Sequence, residues 1–154
     1  MRMQITIEAE RPDSPDASAL IEELEDHLSG LYAPENRHGL SVARLINEGV
    51  DFFVLRVGGA PAGCGGIKLV PGEYGELKRM YVRPQFRGQR LGELLIARLA
   101  EHARAHGQRL LRLETGVHQH AAIALYERVG FRPIPPFGTY PDDDVSRCYE
   151  LALA

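Results

Sequence analysis

The sequence predicts a single α/β domain over residues 1–154, built on a mixed, mostly antiparallel sheet flanked by helices. Three observations predict it. Between residues 51 and 82 three strand-like runs are separated by Gly58-Gly59 and Pro71-Gly72, the pattern of an antiparallel meander. From Leu91 onward the apolar period becomes helical, and strand-like and helical segments alternate, an arrangement that pairs strands in parallel. The length of 154 residues fits one domain, and 44% hydrophobic with 25% charged content excludes general disorder.

Gln4 to Glu8 alternates and reads as a short strand. Arg11 to Pro15 breaks it and offers Asp13, Ser14 and Asp16 as helix caps. Leu20, Ile21, Leu24, Leu28 and Leu31 form a helical stripe ending at Gly30. A loop from 32 to 39 precedes a shorter helix from Leu40 to Asn47. The meander strands are Asp51 to Val57, Ala60 to Val70 and Tyr74 to Val82, and Gly63, Gly65 and Gly66 in the second imply a bulge or a close backbone approach. Arg87 to Gly92 opens a long helix whose face carries Leu91, Leu94, Leu95, Leu99 and Ala103, with Gly107 as its stop. Leu110 to Thr115 is a strand and Ala121 to Val129 a helix stopped by Gly130. Phe131 to Ile134 and Val145 to Leu153 close the sheet.

Eighteen Lys and Arg against 21 Asp and Glu give a net charge of −3, which argues against a nucleic-acid partner. No apolar run approaches the roughly 18 residues of a membrane span, and MRMQITIEAERP carries no apolar core of a secretory signal, so the expected location is cytoplasmic. Cys64 and Cys148 make neither a CxxC nor a zinc pattern and read as buried free thiols.

The segment from 76 to 92 carries most of the chemistry. A helix start presents unpaired N–H groups and partial positive charge. Gly88 and Gly92 admit a ligand to the backbone, and Arg83, Arg87 and Arg90 add positive charge, so the site suits a pyrophosphate. The same residues also suit an ordinary helix start after a turn. A P-loop is excluded because no Lys-Ser or Lys-Thr pair exists, and Gly63, Gly65 and Gly66 fail the GxGxxG spacing.

Here the residues resemble the GNAT superfamily of acetyl-CoA-dependent N-acetyltransferases. Its central motif, Gln/Arg-x-x-Gly-x-Gly/Ala after a strand ending in Val, is matched by Val82 and then Arg87, Gly88, Gln89, Arg90, Leu91 and Gly92, with Arg90 where Gly is usual. Its second motif, Asn-x-x-Ala-x-x-Leu-Tyr-x-x-x-Gly-Phe, is matched by Gln119, Ala122, Leu125, Tyr126, Gly130 and Phe131, with Gln119 replacing Asn. Glu76 to Val82, 113–116 and 136–140 are also similar to a bacterial subgroup of the family.

The resemblance implies a GNAT fold in which the strand at Met80 to Val82 splays from the one at Leu110 to Thr115. It implies acetyl-CoA as cosubstrate, with the pantetheine arm on the backbone of Met80, Tyr81 and Val82 and the pyrophosphate on the amides of Gly88 to Gly92. Arg90 is expected to serve as an ordinary right-handed helix-start residue, and Gln119 to donate from its amide.

Tyr126 matches the family tyrosine that approaches the CoA sulfur and is the expected general acid; the plainer reading is a packed core tyrosine. A Tyr with pKa of about 10 can protonate a thiolate whose acid has pKa of about 8.5. A backbone N–H near Met80 or Tyr81 is the oxyanion donor the resemblance implies. Glu76 is the expected base, at the head of a strand whose alternation puts Glu76, Lys78, Met80 and Val82 on one face unless a bulge intervenes. Glu114 on the neighbouring strand, or a water, is the rival.

His118 and His120 lack a third ligand, so no metal is expected. Asp142 to Asp144 reads as a solvated turn that could also attract a cationic acceptor. The expected partner is a small-molecule amine, an amino acid or a polyamine, with neither nucleic acid nor membrane; homodimerisation is common in the family. A protein Lys or N-terminal acceptor, and a CoA-binding module without turnover, are the competing readings.

Overall fold

The computed structural model describes residues 3–38 and 40–154. Met1 and Arg2, in the segment read for a secretory signal, and Gly39, which ends the loop read from the sequence, lie outside the described residues. The chain runs β1 (Ile5–Ala9), α1 (Pro15–Ser29), α2 (Val42–Asn47), β2 (Asp51–Val57), β3 (Ala60–Val70), β4 (Tyr74–Val82), α3 (Leu91–Ala105), β5 (Leu110–Gly116), α4 (His120–Val129), β6 (Arg132–Ile134) and β7 (Ser146–Ala152). Short 3-10 turns at Pro34–Asn36 and Pro84–Phe86 break the α1–α2 and β4–α3 connections.

The seven strands lie in the order β1-β2-β3-β4-β5-β7-β6, and every neighbouring pair is antiparallel except β4 with β5. Strand alternation divides the core into two layers. Phe52, Val54 and Cys64 face α1 and α2, where they pack on Ala17, Leu20 and Leu45. Phe53, Ile67, Leu77, Leu111 and Leu113 face α3 and α4, where they pack on Ile96, Leu99 and Tyr126. Each fully buried Leu of this kind contributes about 1.5–3 kcal/mol relative to exposure. Leu94, expected on the buried stripe of α3, is instead 40% exposed, and Ile96 and Ala100 take part in its place.

Local chemistry sets the boundaries. Ser14 caps α1 by accepting from Ala17 N at 3.1 Å. Ser41 caps α2 by accepting from Arg44 N at 3.2 Å, which moves that helix start two residues past the expected Leu40. Asp143 accepts from the amides of Val145 and Ser146 at 2.9 and 2.8 Å, so the acidic run holds the entry to β7.

The β3–β4 pair carries a bulge that reorients the site. Gly66 pairs with Lys78 and Cys64 with Tyr81, so Gly65 faces two residues, Arg79 and Met80. Arg79 takes φ 55°, in the left-handed region. The buried Cys64 thiol donates to the Arg79 carbonyl at 3.4 Å, and burial pushes that thiol up to about 12, so it stays protonated. A Cβ at Gly65 would stand 2.5 Å from Met80 Sδ, which is why the bulge requires glycine opposite it.

The expected alternation therefore fails. Glu76 and Lys78 keep to one side, while Met80 and Val82 cross to the other and pack near Leu91 and Leu95. Tyr81 packs with the α1 layer instead.

Candidate active site

β4 and β5 pair only through Gly75 with Leu111 and Glu76 with Arg112. Beyond that point the two strands diverge. The divergence opens a cleft of about 570 Å³ between the end of β4 and the N-termini of α3 and α4, lined also by Leu24 and His27 of α1 and by Leu31 just past it. Met80, Tyr81, Val82, Arg87, Gly88, Arg90, Leu91, Gly92, Gln119 and Tyr126 all line it. Gln89, expected among them, does not.

Between β4 and α3 the chain makes the 3-10 turn and then two left-handed residues, Gly88 at φ 84° and Arg90 at φ 60°. Helix α3 begins at Leu91 rather than at Arg87. The expectation of a right-handed Arg90 is thus overturned: it is the cap residue of α3, in the conformation its usual glycine would adopt freely. A non-glycine residue there costs about 1–2 kcal/mol. Replacing it by glycine also loosens the unfolded chain, which offsets part of that gain. Arg90→Gly is therefore expected to raise stability by about 0.5–1 kcal/mol, read as a melting-temperature rise of a few degrees.

The first backbone bond of α3 runs from Leu94 N to Arg90 O at 3.3 Å, and no side chain caps the helix. The amides of Leu91, Gly92 and Glu93 are left without a partner inside the helix, at its positive end. Gly92 lets α4 approach, since a Cβ there would stand 2.6 Å from Leu125 Cδ2. Of the three arginines, Arg83 is committed to Glu23 of α1 at 2.6 Å and to Pro61 O at 3.0 Å. Arg87 donates through Nε to Val82 O at 3.1 Å and stays exposed, as does Arg90.

Tyr126 is 6% exposed and its ring meets Phe131 edge-on, with centroids 5.7 Å apart. Burial, then the Glu114 carboxylate, push its phenol well above the ordinary tyrosine range, and no hydrogen bond offsets either. It is therefore both a core residue and a protonated hydroxyl facing the cleft.

A second cavity of about 80 Å³ lies beyond it, and Leu24, Met80, Gln119 and Tyr126 are common to both. Glu114 lines this second cavity. Its Oε2 accepts from Ser146 Oγ at 2.6 Å, yet burial outweighs that bond and raises its carboxyl above the usual range. Glu76 instead lines an adjoining hollow of about 390 Å³. There it accepts from the Tyr140 hydroxyl and pairs with Lys78 Nζ at 2.8 Å. Tyr140 and Lys78 border both spaces, and burial, then Glu76, push the Tyr140 phenol strongly up.

The sequence reading passed over His38 and Arg79, which line the second cavity. Tyr32 closes over Gly116 and accepts from His118 N at 2.9 Å. Arg79 reaches the cavity because of the bulge. The Gly at position 65 was the one signal of that geometry. Among the described residues no cluster of three or more His, Cys, Asp or Glu could hold a metal, and no helix is long and apolar enough to cross a membrane.

The site is thus a cleft in a mixed sheet split between its parallel central strands, with an uncapped helix start at the split. Comparison with known proteins gives the family. The acetyltransferase (GNAT) family matches residues 17–131, and the chain belongs to that family. An IAA acetyltransferase of Azospirillum brasilense is 42% identical over 150 residues, spanning 97% of this chain and 98% of the relative. A Klebsiella pneumoniae protein described as an acyl-CoA N-acyltransferase has 37% identity and a TM-score of 0.83 over 98% of this chain and 99% of its own. A GNAT acetyltransferase of Elizabethkingia anophelis, solved with acetyl-CoA bound, shares the fold with a TM-score of 0.72 at 17% identity over 97% of this chain and 98% of its own.

Proposed function

We propose that the protein moves the acetyl group of acetyl-CoA onto the primary amine of a small molecule, with Tyr126 as general acid. The observation that supports this reading is that Tyr126 and Met80 border both the large cleft and the 80 Å³ cavity; a proton donor there suits a junction of cosubstrate and acceptor. The cavity is small and is lined by Tyr32 and Asn36 to His38, which favours a small amine over a peptide. The name of the Azospirillum brasilense relative, IAA acetyltransferase, also points to a small-molecule acceptor.

The residues of the cleft suit acetyl-CoA. The unpartnered amides at the start of α3, with the exposed Arg87 and Arg90, form a cationic anchor for a pyrophosphate. Met80, Val82 and Leu125 give the inner cleft an apolar wall. Past Glu76, the β4 edge toward β5 has no strand partner, so its backbone groups are available to a pantetheine amide and to a developing oxyanion near Met80 and Tyr81. Acetyl-CoA supplies the activated acyl group as a thioester. Tyr126 delivers its hydroxyl proton to the departing sulfur.

Glu114 takes the proton of the incoming ammonium, directly or through water. It is favoured over Glu76 because it lines the cavity that meets the cleft, whereas Glu76 is engaged by Lys78 and Tyr140 in the adjoining hollow. The two carboxylates separate cleanly by experiment. Glu76→Gln leaves Lys78 without its charge partner, with side chains only 8% and 11% exposed. It is expected to lose about 3 kcal/mol of stability and to keep the shape of the wild-type pH–rate profile. A lost acid limb in Glu76→Gln would return the base role to Glu76.

A further inference from the structure

The acceptor cavity carries a charge pattern that acetyl transfer alone does not require. Arg79 and Arg37 share one carboxylate, Glu25, at 2.8 and 3.0 Å, which leaves one positive charge uncompensated. Arg79 is held in place by its Nε bond to Leu40 O at 3.0 Å, and its side chain is only 4% exposed. Among the described residues, the buried side-chain nitrogens without a hydrogen-bond partner are Arg37 Nε, His38 Nε2 and Arg79 Nη1, and all three residues line the 80 Å³ cavity. A buried donor without a partner costs about 1–3 kcal/mol, and more when charged. Two of the three belong to guanidinium groups, which can only donate, and all three residues border one small space, a composition that suits an oxyanion.

Of the nearby carboxylates, Glu76 is taken by Lys78 and Tyr140 and Glu25 by the two arginines, while Glu114 is bonded to Ser146 and makes no hydrogen bond to Arg37, His38 or Arg79. We infer that the acceptor is an amine bearing a carboxylate, bound by Arg79 and Arg37 with His38, its ammonium turned toward Glu114. A planar guanidinium matches a carboxylate in shape and donates two parallel bonds to it. A polyamine has no oxyanion to offer and meets the surplus positive charge. The inference rests on the transfer reading above for its amine, but its carboxylate site stands on the donors alone.

The test uses matched trios: each of the twenty common amino acids, its amide and its decarboxylated amine. Thiol release from acetyl-CoA reads turnover, and calorimetry on the protein saturated with CoA reads binding without turnover. For the best amino acid, kcat/KM is expected to exceed that of its amide by about 100-fold. Arg79→Gln and Arg37→Gln should each shrink the acid-over-amide ratio from about 100-fold toward unity. Arg79 also holds Leu40, so Arg37→Gln, with the acetyl-CoA melting shift as a check of folding, keeps the test decisive.

Amides turned over as well as acids would overturn the carboxylate site while the transfer reading stands. Amino acids that bind in preference to their amides without thiol release would uphold the site and overturn the transfer reading. Neither binding nor turnover of any amino acid would overturn the carboxylate site.

Discussion

Tyr126→Phe is expected to lower kcat by about 100-fold while the KM for acetyl-CoA stays within about twofold. The hydroxyl is the only group removed, and the ring keeps its place against Phe131. Because no hydrogen bond holds that hydroxyl, removing it should leave the melting temperature unchanged or slightly raised. A loss of rate therefore cannot be ascribed to a loss of fold. Burial keeps the phenol protonated across the neutral range, so wild-type activity should show no descending limb from Tyr126 near neutral pH. Steady-state kinetics of the purified variant would check each point. A variant as fast as wild type would reduce Tyr126 to the packed core tyrosine that its setting also describes.

Glu114→Gln should have an effect of similar size, about 100-fold in kcat/KM, with a different signature. A base must be deprotonated, so the wild-type rate should rise with pH through a value above the ordinary carboxylate range, because burial raises the Glu114 carboxyl. In the variant that limb should vanish. Stability should move the opposite way. A carboxyl raised by the fold favours its neutral form, so its stabilising contribution is whole below the unfolded-state value and is lost as pH rises through the folded one. Gln mimics the neutral acid throughout. Glu114→Gln should therefore be the more stable protein at pH 7, with the difference fading as pH falls through the raised folded-state value and absent below about 4. Thermal melts across pH, run beside the rate profiles, would separate this from a merely structural loss.

Much of this architecture is legible in the sequence, for identifiable reasons. The three meander strands appear with their bounds because Gly58-Gly59 and Pro71-Gly72 mark the turns. The helix start after Val82 and the α4 motif lead to the cleft because phosphate chemistry needs glycine and cation at short spacing. What stays hidden depends on single backbone angles. The run from Glu76 to Val82 gives no residue-type warning of a bulge, yet φ 55° at Arg79 moves Met80 and Val82 to the opposite face. At Arg90 the arginine itself gives no sign of a left-handed position, and the only hint is that the motif usually carries glycine there. The acceptor cavity was less legible still. Arg37, His38, Arg79, Glu114 and Tyr140 come from four separate segments, and only the fold brings them to one space.

The most direct test of acetyl-CoA in the β4–β5 cleft is the melting temperature of the pure protein with and without millimolar acetyl-CoA. At 100 times its Kd a ligand adds about 2.7 kcal/mol, or about 5–10 °C for a domain of this size. A rise of that order, shared by Tyr126→Phe and Glu114→Gln, is the predicted result, since neither change touches the anchor at the start of α3. An unshifted melting temperature with calorimetry also silent would contradict the account, because a cleft that does not hold the cosubstrate cannot present its thioester to an amine beside Tyr126.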